Sequence, residues 1–189
     1  GGKIVPLAQR EEDTKFQSVF IAKTNSGIKS LADMKGKQVS FGSQSSTSGH
    51  LMPRSFLLQA NIEPEKDFKR IAYSGAHDAT IASVVSGKVD AAALDITVWQ
   101  KFVTENKVNT QDVNVFFTTP PYFNYNWSVH ADMPVQQREK IKAALLGLNP
   151  ANPEHAEILK LNRATRYVTT TPENYKGLES AARSAGLLQ

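Results

Sequence analysis

Short apolar runs bounded by turn residues recur at Lys3–Leu7, Gln17–Ala22, Gln38–Phe41, Lys69–Tyr73, Asp90–Leu94, Val113–Thr118 and Trp127–His130. Runs of this length and composition predict strands. The stretches between them predict helices at Ser30–Met34, Ser48–Ala60, Ala76–Ser86, Thr97–Asn106, Val135–Leu148, Glu154–Leu161 and Pro172–Ala185. Gly36, Gly87 and Gly186 each follow a helix as stop signals, and Pro134 and Pro172 sit where a first turn accepts proline. Strand and helix alternate through most of the chain, which predicts an α/β class with mostly crossover connections.

Two strand-to-helix junctions carry the chemistry. The first, Ser43-Gln44-Ser45-Ser46-Thr47-Ser48-Gly49-His50-Leu51-Met52-Pro53, places hydroxyls and a glycine where backbone N–H groups and the positive end of a helix dipole are free. Such a junction suits one small oxyanion. The second, Tyr73-Ser74-Gly75-Ala76-His77-Asp78-Ala79, has the same form. In open α/β sheets ligands collect outside the carboxyl ends of strands, so both junctions are expected to face one crevice, with His77 beside the anion. Its imidazole donates one hydrogen bond when neutral and a charge-assisted one when protonated.

Composition narrows the partners. The 189 residues suffice for one compact domain or two small lobes, and 40% hydrophobic content supports an ordinary core. The formal charge of +4 is spread along the chain, with no basic run interleaved with aromatics, so nucleic acid is not an expected partner. The absence of cysteine removes disulfides, thiolate metal sites and a cysteine nucleophile. No window has the apolar length of a membrane span and no signal segment precedes Gly1, so the expectation is a soluble chain that is mature, cytosolic or cut at its N-terminus.

The segments 45–53 (SSTSGHLMP), 74–79 (SGAHDA) and 85–95 (VSGKVDAAALD), with 30–37 (SLADMKGK), resemble the phosphonate/phosphite-binding proteins of bacterial ABC importers. All four occur in the family's order and spacing. The resemblance implies a type II periplasmic-binding-protein clamshell of two α/β lobes closing over a ligand. It puts the phosphonate-holding hydroxyls on Ser46, Thr47 and Ser48, beside Gly49, and the family histidine on His77. It further implies lobe 2 at 22–125, parts of lobe 1 at 1–21 and 126–189, and an additional family segment, roughly a third of the full length, before the position matching Gly1.

Relatives that take aminoalkylphosphonates place carboxylates near Asp95 and in the returning hinge segment. The matching positions here are Thr97 and Tyr125 or Asn126. A buried ammonium without an anionic partner is costly, which favours phosphite, methylphosphonate or a related amine-free oxyanion, with Asp95 as an exception and Tyr125 as a lining residue. The partners implied are that oxyanion and a membrane permease, in the periplasm or on a lipid anchor outside the cytoplasm, with no cofactor and no metal.

Other readings remain open from the residues themselves. A Ser/Thr-rich turn is by default a helix cap, and a lone histidine near a helix start is by default satisfied by a neighbouring carbonyl. The same clamshell also serves as a sensor domain of signalling proteins. A serine hydrolase would need Ser46 or Ser48, His77 and Asp90 or Asp95 as a triad, yet no Gly-x-Ser-x-Gly elbow is present. His50, His77, His130 and His155 show no paired metal-ligand spacing.

Overall fold

The computed structural model describes residues 3–188; Gly1, Gly2 and Gln189, which end the lobe ranges expected from the sequence, lie outside the described residues. In chain order the strands are β1 (Ile4–Arg10), β2 (Ser18–Lys23), β3 (Gln38–Phe41), β4 (Arg70–Tyr73), β5 (Ala91–Asp95), β6 (Val113–Thr118), β7 (Trp127–His130) and β8 (Tyr167–Thr169). The helices are α1 (Met52–Gln59), α2 (Pro64–Asp67), α3 (His77–Val85), α4 (Ile96–Thr104), α5 (Val135–Leu146), α6 (Pro153–Leu161) and α7 (Lys176–Ser184). Two compact units result: one holds the described residues up to Phe16 with Pro121–Gly177, the other Gln17–Pro120 with the described residues from Leu178.

The larger unit is built on a five-stranded sheet in the order β4-β3-β5-β2-β6. Its central strands are buried on both faces because successive side chains alternate across the pleat. Phe20 and Ala22 of β2 join Val39, Phe41, Leu57, Ala91 and Ala93 on one face, while Val19 and Ile21 join Ile81, Val84, Ala92, Leu94 and Trp99 on the other. Leu57 brings α1 to the first face, and Ile81, Val84 and Trp99 bring α3 and α4 to the second. β3 runs parallel to β4 and β5, as crossover connections require, whereas β2 runs antiparallel to both β5 and β6.

The smaller unit carries an antiparallel sheet in the order β7-β1-β8. Here the structure departs from the sequence-based expectation. β1 continues through Gln9 and Arg10, which pair with Val168 and Tyr167 of a strand too short to predict. In the larger unit the segment expected as a helix from Ser30 is a single tight turn at Ala32–Met34, and Pro172–Ala185 divides into a tight turn at Pro172–Tyr175 followed by α7. Within the smaller unit Arg10 binds Asp13 through two hydrogen bonds of 2.6 and 3.0 Å. These two residues line a cavity of about 240 Å³ with Tyr125, Asn126, Trp127, Asn162 and Tyr167.

Phe20 is fully buried, with ring centroids 6.2 Å from Phe116 and 5.9 Å from Phe117. Phe20→Ala is expected to cost about 3–5 kcal/mol of stability by opening a cavity in a sheet packed on both faces. Urea unfolding followed by tryptophan fluorescence measures it, and a midpoint equal to the parent's contradicts the two-faced core.

Candidate functional site

Because β3, β4 and β5 are parallel, their carboxyl ends Phe41, Tyr73 and Asp95 lie along one edge of the sheet. β3 sits between the other two, so the loops leaving this edge flank the point where the strand order reverses.

The loop after β3 is wound by its own composition. Ser46 has an extended backbone, and its hydroxyl accepts a hydrogen bond of 3.0 Å from the Gly49 N–H, capping the start of a helical turn. From Thr47 to Leu51 the chain makes one wide turn before α1: the Leu51 N–H reaches the Ser46 carbonyl at 2.9 Å and the Met52 N–H that of Thr47. Such five-residue spacing is rare and concentrates at functional sites. Thr47 and Ser48 are the first residues of this turn, ahead of any intrahelical partner for their N–H groups. Ser48 is buried, and the buried Ser18 hydroxyl of β2 donates to its carbonyl at 2.6 Å.

Gly49 is fixed by close approach. A β-carbon there would stand 2.9 Å from the Ser46 hydroxyl oxygen, 3.1 Å from Cε1 of His77 and 3.2 Å from the Gly42 Cα. The Gly42 N–H in turn donates to the Gly49 carbonyl at 2.9 Å. These distances bring the Ser46–Gly49 turn and His77 together, as the two junctions lead one to expect.

The second junction is tied to the same strand end. The Ser74 N–H donates to the Phe41 carbonyl at 3.0 Å, and its hydroxyl lies 2.6 Å from that of the fully buried Thr80. Gly75, at φ +83, takes the left-handed conformation that turns the chain into α3. His77 is the first residue of α3, whose N-cap, Ala76, supplies no side-chain cap. Its Nδ1 accepts the Asp95 N–H at 3.4 Å, so the proton of the neutral ring belongs on Nε2. Burial pushes the imidazole below its ordinary value, and the Asp95 and Asp78 carboxylates offset this only in part.

Asp95 caps α4. Its Oδ1 accepts from the Thr97 N–H at 2.6 Å, the Thr97 hydroxyl at 2.7 Å and the Val98 N–H at 3.3 Å. Tyr125 belongs to the smaller unit, where the Arg10 guanidinium lies 5.8 Å from its ring centre.

Sequence reasoning assigned no role to Ser18, Gly42 or His50. His50 is buried with its ring against Phe41 and Tyr73, at centroid distances of 4.9 and 5.0 Å. Its Nδ1 lies 2.7 Å from the Gln44 carbonyl, which only accepts, so Nδ1 carries the proton and Nε2 accepts from the Tyr73 hydroxyl at 3.3 Å. A histidine inside the apolar end of a strand-turn-helix was the available signal.

The family model described as ABC transporter, phosphonate, periplasmic substrate-binding protein matches residues 1–175. A protein of Prochlorococcus marinus named as a probable ABC transporter phosphite binding protein is 37% identical over 191 residues, covering 95% of this chain and 64% of its own length. The chain therefore spans under two thirds of that relative. A phosphonates-binding periplasmic protein of Escherichia coli is 29% identical over 109 residues, 56% of this chain and 32% of its own. The solved structure of the Prochlorococcus marinus protein PhnD1 in complex with methylphosphonate superposes with a TM-score of 0.85 at 34% identity, over 98% of this chain and 72% of that one. The fold is thus the mixed α/β fold of type II periplasmic binding proteins, and the chain belongs to the family of periplasmic phosphonate-binding proteins of ABC transporters.

Proposed function

We propose that this chain captures phosphite or a small amine-free phosphonate outside the cytoplasm and delivers it, chemically unchanged, to the membrane permease of an ABC importer. The observation that carries the reading is the Ser46–Gly49 turn closed against His77 at the carboxyl ends of parallel strands. Two helix starts converge there, and helix starts hold phosphorus oxyanions through N–H groups and dipoles. The Prochlorococcus marinus relative PhnD1, named as a probable phosphite binding protein and solved with methylphosphonate, supplies the ligand class. On this reading the unit holding Gln17–Pro120 is the lobe that carries the cradle, with Thr47 and Ser48 adding hydroxyl donors.

The polarity at His77 supports binding over hydrolysis. A triad needs Nδ1–H donated to an orienting carboxylate. Here Nδ1 accepts from the Asp95 backbone, while Oδ1 of Asp95 is engaged by the start of α4. No helix of the described residues is long and apolar enough to cross a membrane, and the reading accordingly assigns delivery to a separate permease.

Three outcomes are expected at this site. In calorimetric titrations with methylphosphonate and phosphite, Thr47→Ala and Ser48→Ala are each expected to lose roughly 1.5–3 kcal/mol of binding, the usual loss for a hydrogen bond to a charged oxygen. Gly49→Ala should weaken binding strongly while costing about 1–3 kcal/mol of stability, because its β-carbon crowds the Ser46 hydroxyl at 2.9 Å and His77 at 3.1 Å. Variants that all bind like the parent would make these residues caps alone, and product formation seen by phosphorus NMR would defeat the binding reading.

His77 sets the pH dependence. Held below about 6.5 by burial, it is neutral in the free chain near neutral pH; a bound oxyanion favours the charged ring, so binding should take up protons as pH falls past that value. Titrations in buffers of different ionisation enthalpy should show more uptake in the parent than in His77→Gln with the same ligand, the difference cancelling the ligand's own second ionisation, while the variant keeps a donor and part of the affinity. Without ligand the sign is opposite. Because folding depresses His77 and His50, the stability they contribute is present above about 6.5 and lost as pH falls through their lowered folded values.

Asp95 bears on ligand choice. Three hydrogen bonds commit its Oδ1 to the start of α4, which leaves Oδ2 as its one oxygen for an ammonium. Aminoethylphosphonate should therefore bind no tighter than methylphosphonate. A tenfold advantage for the amine, about 1.4 kcal/mol, would overturn that preference and point to another acid.

A further inference from the structure

Behind the anion cradle lies a side chain that touches no proposed ligand group yet controls the direction of a peptide in the loop. His50 follows the Ser46–Gly49 turn and is 3% exposed, packed between the Phe41 and Tyr73 rings at one end of β3 and β4. Its own N–H is bonded to the Ser46 carbonyl at 3.1 Å, which fixes the ring relative to the turn. From that anchored position Nδ1–H reaches back six residues to the Gln44 carbonyl at 2.7 Å. The other nitrogen is held by the Tyr73 hydroxyl at 3.3 Å, so the ring cannot rotate without losing both bonds.

Peptide geometry gives this bond its consequence. In a planar trans peptide the C=O and N–H point in opposite directions. With the Gln44 carbonyl drawn inward to His50, the Ser45 N–H of the same peptide faces away from the buried ring. Gln44 and Ser45 are exposed, so water alone would leave this peptide free to flip. The flipped form would turn a carbonyl dipole outward at the mouth of a site meant for an anion, and a carbonyl repels what an N–H attracts.

We infer that His50 is a positioning residue for oxyanion binding, holding the Gln44–Ser45 peptide so that the Ser45 N–H joins the Thr47 and Ser48 donors as part of the cradle. This rests on the proposed binding of phosphorus oxyanions and adds both a donor, Ser45 N–H, and the group that aims it. The Gln44 carbonyl, which only accepts, sets the tautomer with Nδ1 protonated, and the Tyr73 hydroxyl then donates to Nε2. Arg54 and Glu65 also face the ring's surroundings, but they are joined to each other by hydrogen bonds of 2.7 and 2.6 Å, so the donor to Gln44 is His50.

Two variants separate aiming from packing. His50→Phe keeps the ring between Phe41 and Tyr73 but removes the donor. His50→Asn keeps a donor at nearly the Nδ1 position but loses most of the ring. Methylphosphonate and phosphite are titrated into each variant and the parent, thermal stability is measured without ligand, and the Ser45, Thr47 and Ser48 amide proton shifts are followed by NMR. The expected result is a crossed pattern. His50→Phe stays close to the parent in stability, binds at least about tenfold more weakly and loses the ligand-induced Ser45 shift while keeping that of Thr47; His50→Asn is the less stable variant yet keeps the Ser45 shift and most of the affinity. A parent that binds neither probe overturns the proposed function and this inference with it. A parent that binds, with His50→Phe matching it in affinity and Ser45 shift, overturns this inference alone, as does equal loss of binding in both variants.

Discussion

The turn from Ser46 to Gly49 lies against the end of β3 because Gly49 carries no side chain. A β-carbon on Gly42 would stand 3.4 Å from the Gly49 Cα, and one on Gly49 only 3.2 Å from the Gly42 Cα. That approach admits the hydrogen bond from the Gly42 N–H to the Gly49 carbonyl, which joins the first turn of a helix directly to a core strand. The same strand end receives the other junction, since the Phe41 and Gly42 carbonyls accept from the Ser74 and Gly75 N–H groups at 3.0 and 3.3 Å. One backbone contact thereby sets the register between two helix starts, and His77 reaches Gly49 as a result. A larger residue at Gly49 would press on the Ser46 hydroxyl at 2.9 Å and on His77 at 3.1 Å and so drive the two junctions apart.

On the proposed binding, this construction would offer an anion dipoles rather than a full opposite charge. Arg54, the buried cation that follows the turn, is already neutralised by both carboxylate oxygens of Glu65. A helix start carries roughly half a positive charge, so two starts together approach one charge without a guanidinium. Hydrogen bonds from fixed N–H groups also need little rearrangement when the ligand arrives. For a protein whose proposed task is capture followed by release, the difference matters. A buried ion pair is costly to break because an uncompensated charge stays behind, whereas N–H groups and hydroxyls at a loop can return to water.

The larger unit was legible where local pattern and tertiary role agree. Gln38–Phe41 is a short apolar run that forms where the pattern puts it, because a central strand buried on both faces needs little beyond that signature; Val113–Thr118 forms as expected at the sheet edge. The two strand-to-helix junctions and their approach to each other were legible for a similar reason, since hydroxyls and glycine between a strand and a helix mark a capped helix start. Other features depend on partners far along the chain. Gln9 and Arg10 are strand only because Val168 and Tyr167 pair with them, and neither segment announces this alone. The wide turn at Thr47–Leu51 moves the helix start ahead of Ser48 without any compositional mark. Asp95 reads as a ligand candidate in sequence, yet its capping of α4 becomes visible only once the N–H groups of Thr97 and Val98 are located.

His50 and His77 show most directly what a residue's neighbours add to its identity. Each comes after a small residue at a strand-to-helix junction, and burial lowers the proton affinity of both. Their nearest backbone partners are opposite in kind: His50 Nδ1 meets a carbonyl, whereas His77 Nδ1 meets an N–H. The first ring must therefore carry its proton on Nδ1 and the second on Nε2. One histidine is turned inward, its donor committed to the loop that it shapes. The other has its backbone-facing nitrogen satisfied as an acceptor, which puts the proton on Nε2, the donor that the proposed binding would use. Reversing either backbone group would exchange these assignments with no change in sequence, so the division of labour between the two rings is set by the strand ends that hold them.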